Sequence, residues 1–182
     1  MHDVLSDNRI VARPLSADDV HDLHAAVRES MDTVGPWMAW CHPGYSLSDA
    51  HDWVNKSAQH WASDGDREFG IFDAASARLL GCAGINQMNA LYNFANCGYW
   101  VRKSSTNRGV ATAVVRLLAR FAFDRLGLTR VEIVARVDNI ASRRVAEKAG
   151  CTFECVARNR LVQHGQPHHA AMYSLIPADL ER

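Results

Sequence analysis

A mixed α/β domain is the fold class this sequence predicts, and three observations carry it. The 182 residues are 48% hydrophobic and 22% charged, which suits one globular unit that buries most of its apolar surface. Periodic segments follow in the order β α α β β β α β α β β, with two-residue alternation in the strands and helical spacing elsewhere. Strands come in runs without a helix between them, which excludes a doubly wound βαβ series. No internal repeat, low-complexity segment or linker divides the chain. A single domain therefore covers residues 1–182, with its core between Arg9 and Ile176.

Arg9-Ile10-Val11-Ala12-Arg13 alternates as a first strand, which Pro14 stops. Ser16 is an N-cap candidate, Asp18 and Asp19 favour the dipole of the helix behind it, and Val20, Leu23, Val27 and Met31 form its stripe to about Ser30. Gly35-Pro36 breaks that helix. Trp37 to Pro43 is an unusually aromatic loop. A second helix starts near Ser46 or Ser48, carries Trp53, Val54 and Trp61 on one side, and ends at Asp64-Gly65-Asp66. Strands follow at Glu68 to Asp73 and Leu79 to Met88, around a small-residue turn from Ala74 to Ala77. Asn93 to Asn96 leads into a strand from Cys97 to Val101. The long helix through Ala113, Val114, Leu117, Leu118, Phe121 and Ala122 closes at Gly127, a C-cap candidate. Arg130 to Arg136 alternates as a strand, and Asp138-Asn139 opens a shorter helix ending at Gly150. Cys151 to Leu161 and His168 to Ile176 form a hairpin around His164-Gly165-Gln166-Pro167.

Composition excludes several classes of function. Formal net charge is zero, from 20 basic and 20 acidic residues, so bulk charge gives no nucleic-acid footprint. No basic-then-apolar leader opens the chain and no apolar run reaches spanning length, so a cytoplasmic protein without a membrane partner is expected. Five cysteines, odd in number and never in Cys-x-x-Cys spacing, read as reduced thiols. His164, His168 and His169 sit in a turn without a Cys or acidic partner nearby, and the acids around His21 and His24 read as helix-start charges; no metal is expected.

The segment from Tyr99 to Thr112 carries the chemistry. It passes from an aromatic, β-branched strand through a polar loop to the start of the long helix. The first N–H groups of such a helix lack intrahelical partners and, with the helix dipole, form an anion site. Gly109 has no Cβ to obstruct a ligand, and Arg108 adds a positive charge. A phosphate or pyrophosphate is the matching guest; an ordinary helix start without a ligand is the competing reading. The Gly-Lys-Ser/Thr of a P-loop and the three glycines of a dinucleotide fingerprint are both missing.

Three stretches together resemble the GNAT N-acetyltransferases, in particular the RimJ/RimL-type ribosomal-protein enzymes. They are Gly98-Tyr99-Trp100-Val101 followed by Arg108-Gly109-Val110-Ala111-Thr112, then Val137-Asp138-Asn139-Ile140-Ala141-Ser142 running on to Gly150, and Trp37-Met38-Ala39-Trp40 after the first helix. The likeness spans about Arg9 to Ile176. It implies a single-domain GNAT fold, with a mixed, mostly antiparallel sheet splayed at the CoA site and helices on both faces. It implies acetyl-CoA as the cofactor, held by Trp100, Val101, the loop Thr106-Asn107-Arg108-Gly109-Val110-Ala111-Thr112, Asn139 and Ser142. Within that set, Arg108 to Thr112 would present amides to the pyrophosphate, Val101 would pair with the pantetheine arm, Asn139 would bond the arm near the thioester, and Ser142 would protonate the departing thiolate. Related enzymes are often dimers, so a homodimer is implied too.

The chain departs from the family pattern at several positions. Thr106 takes the first place of the phosphate-loop motif, and Asn107 stands where a further Gly is common. Ala146 replaces a Tyr general acid, Asn96 stands where a Glu base often sits, and Leu161 occupies a second Glu position of the Rim-type enzymes. An α-amino group, which ordinarily titrates at about 7.7–8.0, needs a base less than a lysine at about 10.4 does. Water relayed by Asn86, Asn96 or a histidine then suffices, which favours a protein N-terminus, such as that of a ribosomal protein, as acceptor. Glu154 is a base candidate or an ion-paired strand carboxylate, and Ser142 is the acid or a helix-surface serine. Trp37, Trp40 and His42 are candidate acceptor-site residues, or packing and loop residues. No cysteine has a local histidine partner, so direct attack by the amine is expected. Small-amine acetylation and a CoA-binding regulatory module without catalysis are the alternatives.

Overall fold

The computed structural model describes residues 4–63 and 65–181. The expected alternation becomes strands β1 (Leu5–Ser6), β2 (Ile10–Arg13), β3 (Arg67–Asp73), β4 (Leu79–Asn89), β5 (Phe94–Val101), β6 (Arg130–Arg136), β7 (Thr152–Gln163) and β8 (Gln166–Leu175). Helices α1 (Val20–Glu29), α2 (Met31–Val34), α3 (Leu47–Ala62), α4 (Val110–Asp124) and α5 (Ile140–Ala149) connect them. Ser46 starts α3 through a capping box: its hydroxyl accepts the Asp49 N–H at 3.2 Å and the Asp49 carboxylate takes the Ser46 N–H at 2.7 Å. Gly150 ends α5 in the left-handed conformation, at φ +96°.

Some boundaries differ from the sequence reading. The first helix is divided: a 3-10 turn at Ala17–Asp19 precedes α1, and Met31 begins the separate short α2 instead of closing the stripe. The Ser30 hydroxyl bonds back to the Ala26 carbonyl at 2.6 Å at this break, competing with the helical ladder. The last hairpin is tighter than expected, because His164 and Gly165 both adopt positive φ (+49° and +73°), as a two-residue turn demands. β1 was not legible as a strand. Asp64, expected at the end of the second helix, lies outside the described residues.

The eight strands form one sheet in the order β1-β2-β3-β4-β5-β6-β8-β7. Every neighbouring pair is antiparallel except β5 and β6, which run parallel. Successive side chains on β3 alternate between two cores. Phe69 and Ile71 meet Val114, Leu118 and Phe121 of α4 on one face, while Phe72 meets Leu23 and Val27 of α1 and Val54 of α3 on the other. Burying a side chain such as Leu118, which is fully inaccessible, contributes roughly 1.5–3 kcal/mol. Helices therefore cover both faces of the sheet.

β5 and β6 pair only at Phe94–Arg130, Ala95–Val131 and Asn96–Glu132. Beyond that point β5 stays on β4 as far as Val101, and β6 stays on β8 as far as Arg136. The sheet opens between them, facing the start of α4. No helix among the described residues is long and apolar enough to cross a membrane.

Candidate active site

Antiparallel pairing fixes what faces this opening. The Arg102 N–H reaches the Leu80 carbonyl at 2.7 Å, and bonding alternates along an antiparallel ladder. The backbone groups of Tyr99 and Val101 therefore point away from β4, towards the gap that β6 has left. Above the gap, Asn107 and Gly109 take φ of +61° and +76° and turn the chain into α4. Gly109 caps the helix with no side-chain acceptor, and the Ala113 N–H reaches the Gly109 carbonyl at 3.0 Å. The amides before Ala113 thus have no capping partner. Thr106, Asn107, Arg108 and Gly109 are exposed, whereas the buried Val110 anchors the turn in the core. A Cβ at Gly109 would stand 3.3 Å from the Arg9 guanidinium, so a second cation overlooks the same amides.

This loop is clamped from behind. The Glu29 carboxylate at the end of α1 accepts Arg102 Nε at 2.6 Å and the Ser104 N–H at 2.8 Å, and the Ser30 hydroxyl takes the Lys103 N–H at 3.0 Å. Burial pushes the Glu29 carboxyl up, but the bonds from Ser104 and Arg102 outweigh it and hold its pKa down at about 2.

At the other side of the opening, Asn139 caps α5 by accepting the Ser142 N–H at 3.1 Å. Ser142 Oγ lies 3.0 Å from the Tyr99 hydroxyl, which also stands 3.1 Å from the Ser142 carbonyl oxygen. Burial pushes the Tyr99 phenol well above its ordinary value, so it remains a proton donor. Ala146 is fully buried and offers no hydroxyl, and Tyr99 brings the nearest phenol to Ser142 from the sheet instead.

On the opposite face of β5 lies a cleft of about 580 Å³ between the sheet, α3 and the aromatic loop. Trp40 packs edge-on against Trp100 at 5.7 Å, and His42, Trp53 and Asn86 join them in the lining. Asn96 donates to Asn86 across the strands at 2.8 Å. Four carboxylates, Asp49, Asp52, Asp66 and Glu68, face one ammonium, Lys56, in this lining.

The structure brings most of the sequence-predicted residues to these two places, but not all. Trp37 stacks beneath the Arg136 guanidinium (5.3 Å), in a loop that Gln163 holds through the Pro36 carbonyl, and it does not line the cleft. Glu154 is gripped by Arg130 and by the Ser174 hydroxyl at 2.8 Å; its bond to Arg130 is the leading influence and lowers its pKa, and it too stands apart from the cleft. The Trp100 side chain lines the cleft and its backbone pairs with Cys82 of β4, so Trp100, expected beside the cofactor, does not face the strand opening as Tyr99 and Val101 do. The sequence reading gave no role to Tyr99, Glu68 or His60. All three gain their significance from partners brought in by strand register or helix packing, which no local motif announces. The cysteines of the described residues are free, and burial pushes Cys41 up, Cys82 and Cys97 far up and Cys151 up to about 12, so none of these four is an activated thiolate.

A sheet that parts beside an uncapped helix start, with a hydroxyl pair at the gap and an acidic cleft behind it, is a layout that suits an acyl-transfer enzyme. The chain belongs to the GNAT acetyltransferase family: the family model for the acetyltransferase (GNAT) domain matches residues 9–152. YdaF of Bacillus subtilis (strain 168), whose name assigns it provisionally to ribosomal N-acetylation, is 29% identical over an alignment of 181 residues that covers 96% of this chain and 95% of that protein. A Vibrio cholerae structure provisionally described as a ribosomal-protein-serine acetyltransferase is 29% identical, with a TM-score of 0.85 over 96% of this chain and 98% of that one. RimL, described as a ribosomal L7/L12 alpha-N-protein acetyltransferase in complex with coenzyme A, shares the fold at a TM-score of 0.84 and 22% identity, over 96% and 98% of the two chains.

The Glu29 clamp has a pH signature. Its carboxyl has a lower pKa folded than its ordinary 4.5, so the clamp's stabilisation is complete above that value and is lost as pH falls towards about 2. Glu29→Gln should lower the melting temperature at neutral pH and bring mutant and wild type together at the acid end. Parallel melting curves across that window would show that Glu29 does not hold the loop.

Proposed function

We propose that this chain transfers the acetyl group of acetyl-CoA to an amine by direct attack, and that its acceptor is the α-amino group at the N-terminus of a protein or peptide. The observation that carries the reading is the parting of β5 from β6 after three residue pairs, with the uncapped start of α4 at its mouth. The donor, when bound, supplies an acyl group already activated as a thioester. Amides of Arg108 to Thr112 bind its pyrophosphate, with Thr106, Asn107, Arg108 and the Arg9 guanidinium at the rim. Val101, on the unpaired backbone edge, would pair with the pantetheine arm, and Asn139, whose Oδ1 is taken by the Ser142 N–H, would bond the arm through its amide N–H donors. The Val101 amide, which faces the opening, would polarise the carbonyl, whereas the Trp100 amide is directed at β4. Ser142, supported by the Tyr99 phenol, protonates the sulfur leaving group. Trp40, His42 and Asn86, with Asn96 behind Asn86, shape the acceptor side.

The acidic lining of the cleft favours a second reading, a small polycationic amine. Both readings are tested by following CoA release from acetyl-CoA with a free-amino Ser-Ala-Ala-Ala peptide, its N-acetylated twin, and spermidine. The expected result is turnover of the free peptide and none of its twin. Turnover of spermidine alone would move the acceptor to small amines, and no turnover with any of them would contradict acetyl transfer. Gly109→Asp should weaken CoA binding by about tenfold or more, through a Cβ in a left-handed position and a charge facing the phosphates. Calorimetry would contradict the loop assignment by returning the wild-type affinity. Ser142→Ala should lower kcat by about 10–100-fold and leave the KM for acetyl-CoA within about twofold; unchanged kcat would make Ser142 a capping-turn residue only.

A further inference from the structure

In the cleft behind Trp100, strand register lines up Glu68, Gly84 and Gly98 across β3, β4 and β5. All three lie on the cleft face of the sheet. Strands stand about 4.8 Å apart, so Glu68 and Gly98 are separated by roughly 10 Å at the backbone, with no side chain on the strand between them. The glycine is required there: a Cβ at Gly84 would approach the Arg67 carbonyl to 2.9 Å and the Glu68 Cγ to 3.5 Å. The trough leads from a carboxylate to the strand whose far edge forms the opening.

Glu68 is only 7% exposed, and its two oxygens differ. Oε1 lies 2.7 Å from His60 Nδ1, and the hydrogen bond between them fixes how the carboxyl group points. Oε2 is buried with no hydrogen-bond partner. A buried carboxylate oxygen without a donor carries a desolvation cost that a ligand donor relieves. Asp66 brings its carboxylate within 4.8 Å of the same two groups, and Asp49, Asp52, Lys56, His42, Tyr45, Cys82 and Tyr99 are the other charged or titratable groups of the lining.

We infer that Glu68, oriented by His60, is the group that receives the acceptor amine in its ammonium form and removes its first proton. The inference rests on the acetyl-transfer reading above. In the step, one N–H bond of the ammonium breaks and an O–H bond forms on the Glu68 carboxylate. The electron pair stays on nitrogen, giving a neutral amine next to Gly98, and the carboxyl returns the proton to cleft water between turnovers. The family's expected glutamate positions, held here by Asn96 and Leu161, are thereby replaced from a different strand.

The test uses the full chain, Glu68→Gln and Glu68→Asp, in buffer containing EDTA. Calorimetric titration of the free-amino Ser-Ala-Ala-Ala peptide near pH 7 should show binding at least about tenfold weaker in Glu68→Gln, with CoA affinity and melting temperature unchanged. Turnover of whichever amine the wild type acetylates should fall by about 100-fold in kcat/KM, and the deficit should shrink as pH rises past the amine's own pKa, where it arrives neutral. Glu68→Asp, which keeps the charge but shortens the reach, should recover part of the binding and less of the rate. A Glu68→Gln protein with wild-type peptide affinity and kcat/KM would overturn the inference while leaving acetyl transfer standing. A deficit equal at every pH would reduce Glu68 to a structural role, and peptide binding that needs added Zn²⁺ would assign the cluster to a metal; either result overturns it. A wild type that acetylates no amine would remove the reading and the inference together.

Discussion

The structure depends on two strands that pair for three residues and then part. A β-sheet normally satisfies every internal N–H and C=O with a neighbouring strand, and a row left unpaired inside a sheet is costly. Here β5 is held by β4 along its whole length and β6 by β8, so neither can swing across to close the gap. The unpaired edge of β5 is therefore a permanent, preorganised strip of backbone donors and acceptors. The uncapped start of α4 stands at its mouth, pinned by the contacts of Glu29 and Ser30 to the preceding turn. Both features expose backbone polarity on a rigid frame, which is what an extended, polar ligand with an anionic end requires.

Much of this was legible in the sequence because it is local. The strand–loop–helix from Tyr99 to Thr112 announces an anion site through Gly109, Arg108 and the apolar periodicity behind them. Asn139 and Ser142 were readable as the head of a helix, and Ser46 as a cap. What the sequence concealed is long-range. The Tyr99–Ser142 bond joins residues on different elements, and the Glu68–Gly84–Gly98 row exists only through strand register. The acidity of the cleft was likewise hidden, since Asp49 and Asp52 come from α3 and Asp66 and Glu68 from the segment after it. Glu154 and Trp37 looked equally eligible by residue type, yet each is engaged by an arginine away from the cleft: Arg130 for Glu154, Arg136 for Trp37.

The two sides of β5 have opposite chemical characters. On the α4–α5 side, amides, arginines and hydroxyls offer donors to an anionic ligand. On the α1–α3 side, carboxylates and aromatic faces suit a cation with apolar surroundings. Alternation along one strand separates them: Cys97, Tyr99 and Val101 face one way, Asn96, Gly98 and Trp100 the other. On the proposed function, a single strand would meet a donor and an acceptor of opposite charge from its two faces.

Hydrogen exchange of the backbone amides, measured with and without coenzyme A, tests the central claim most directly. The account predicts that exchange at residues 108–112 and at Val101 slows by about tenfold or more on binding, while the outer strand β7 is unaffected. Saturating coenzyme A that protects other amides and leaves 108–112 exchanging as in the free protein would contradict it.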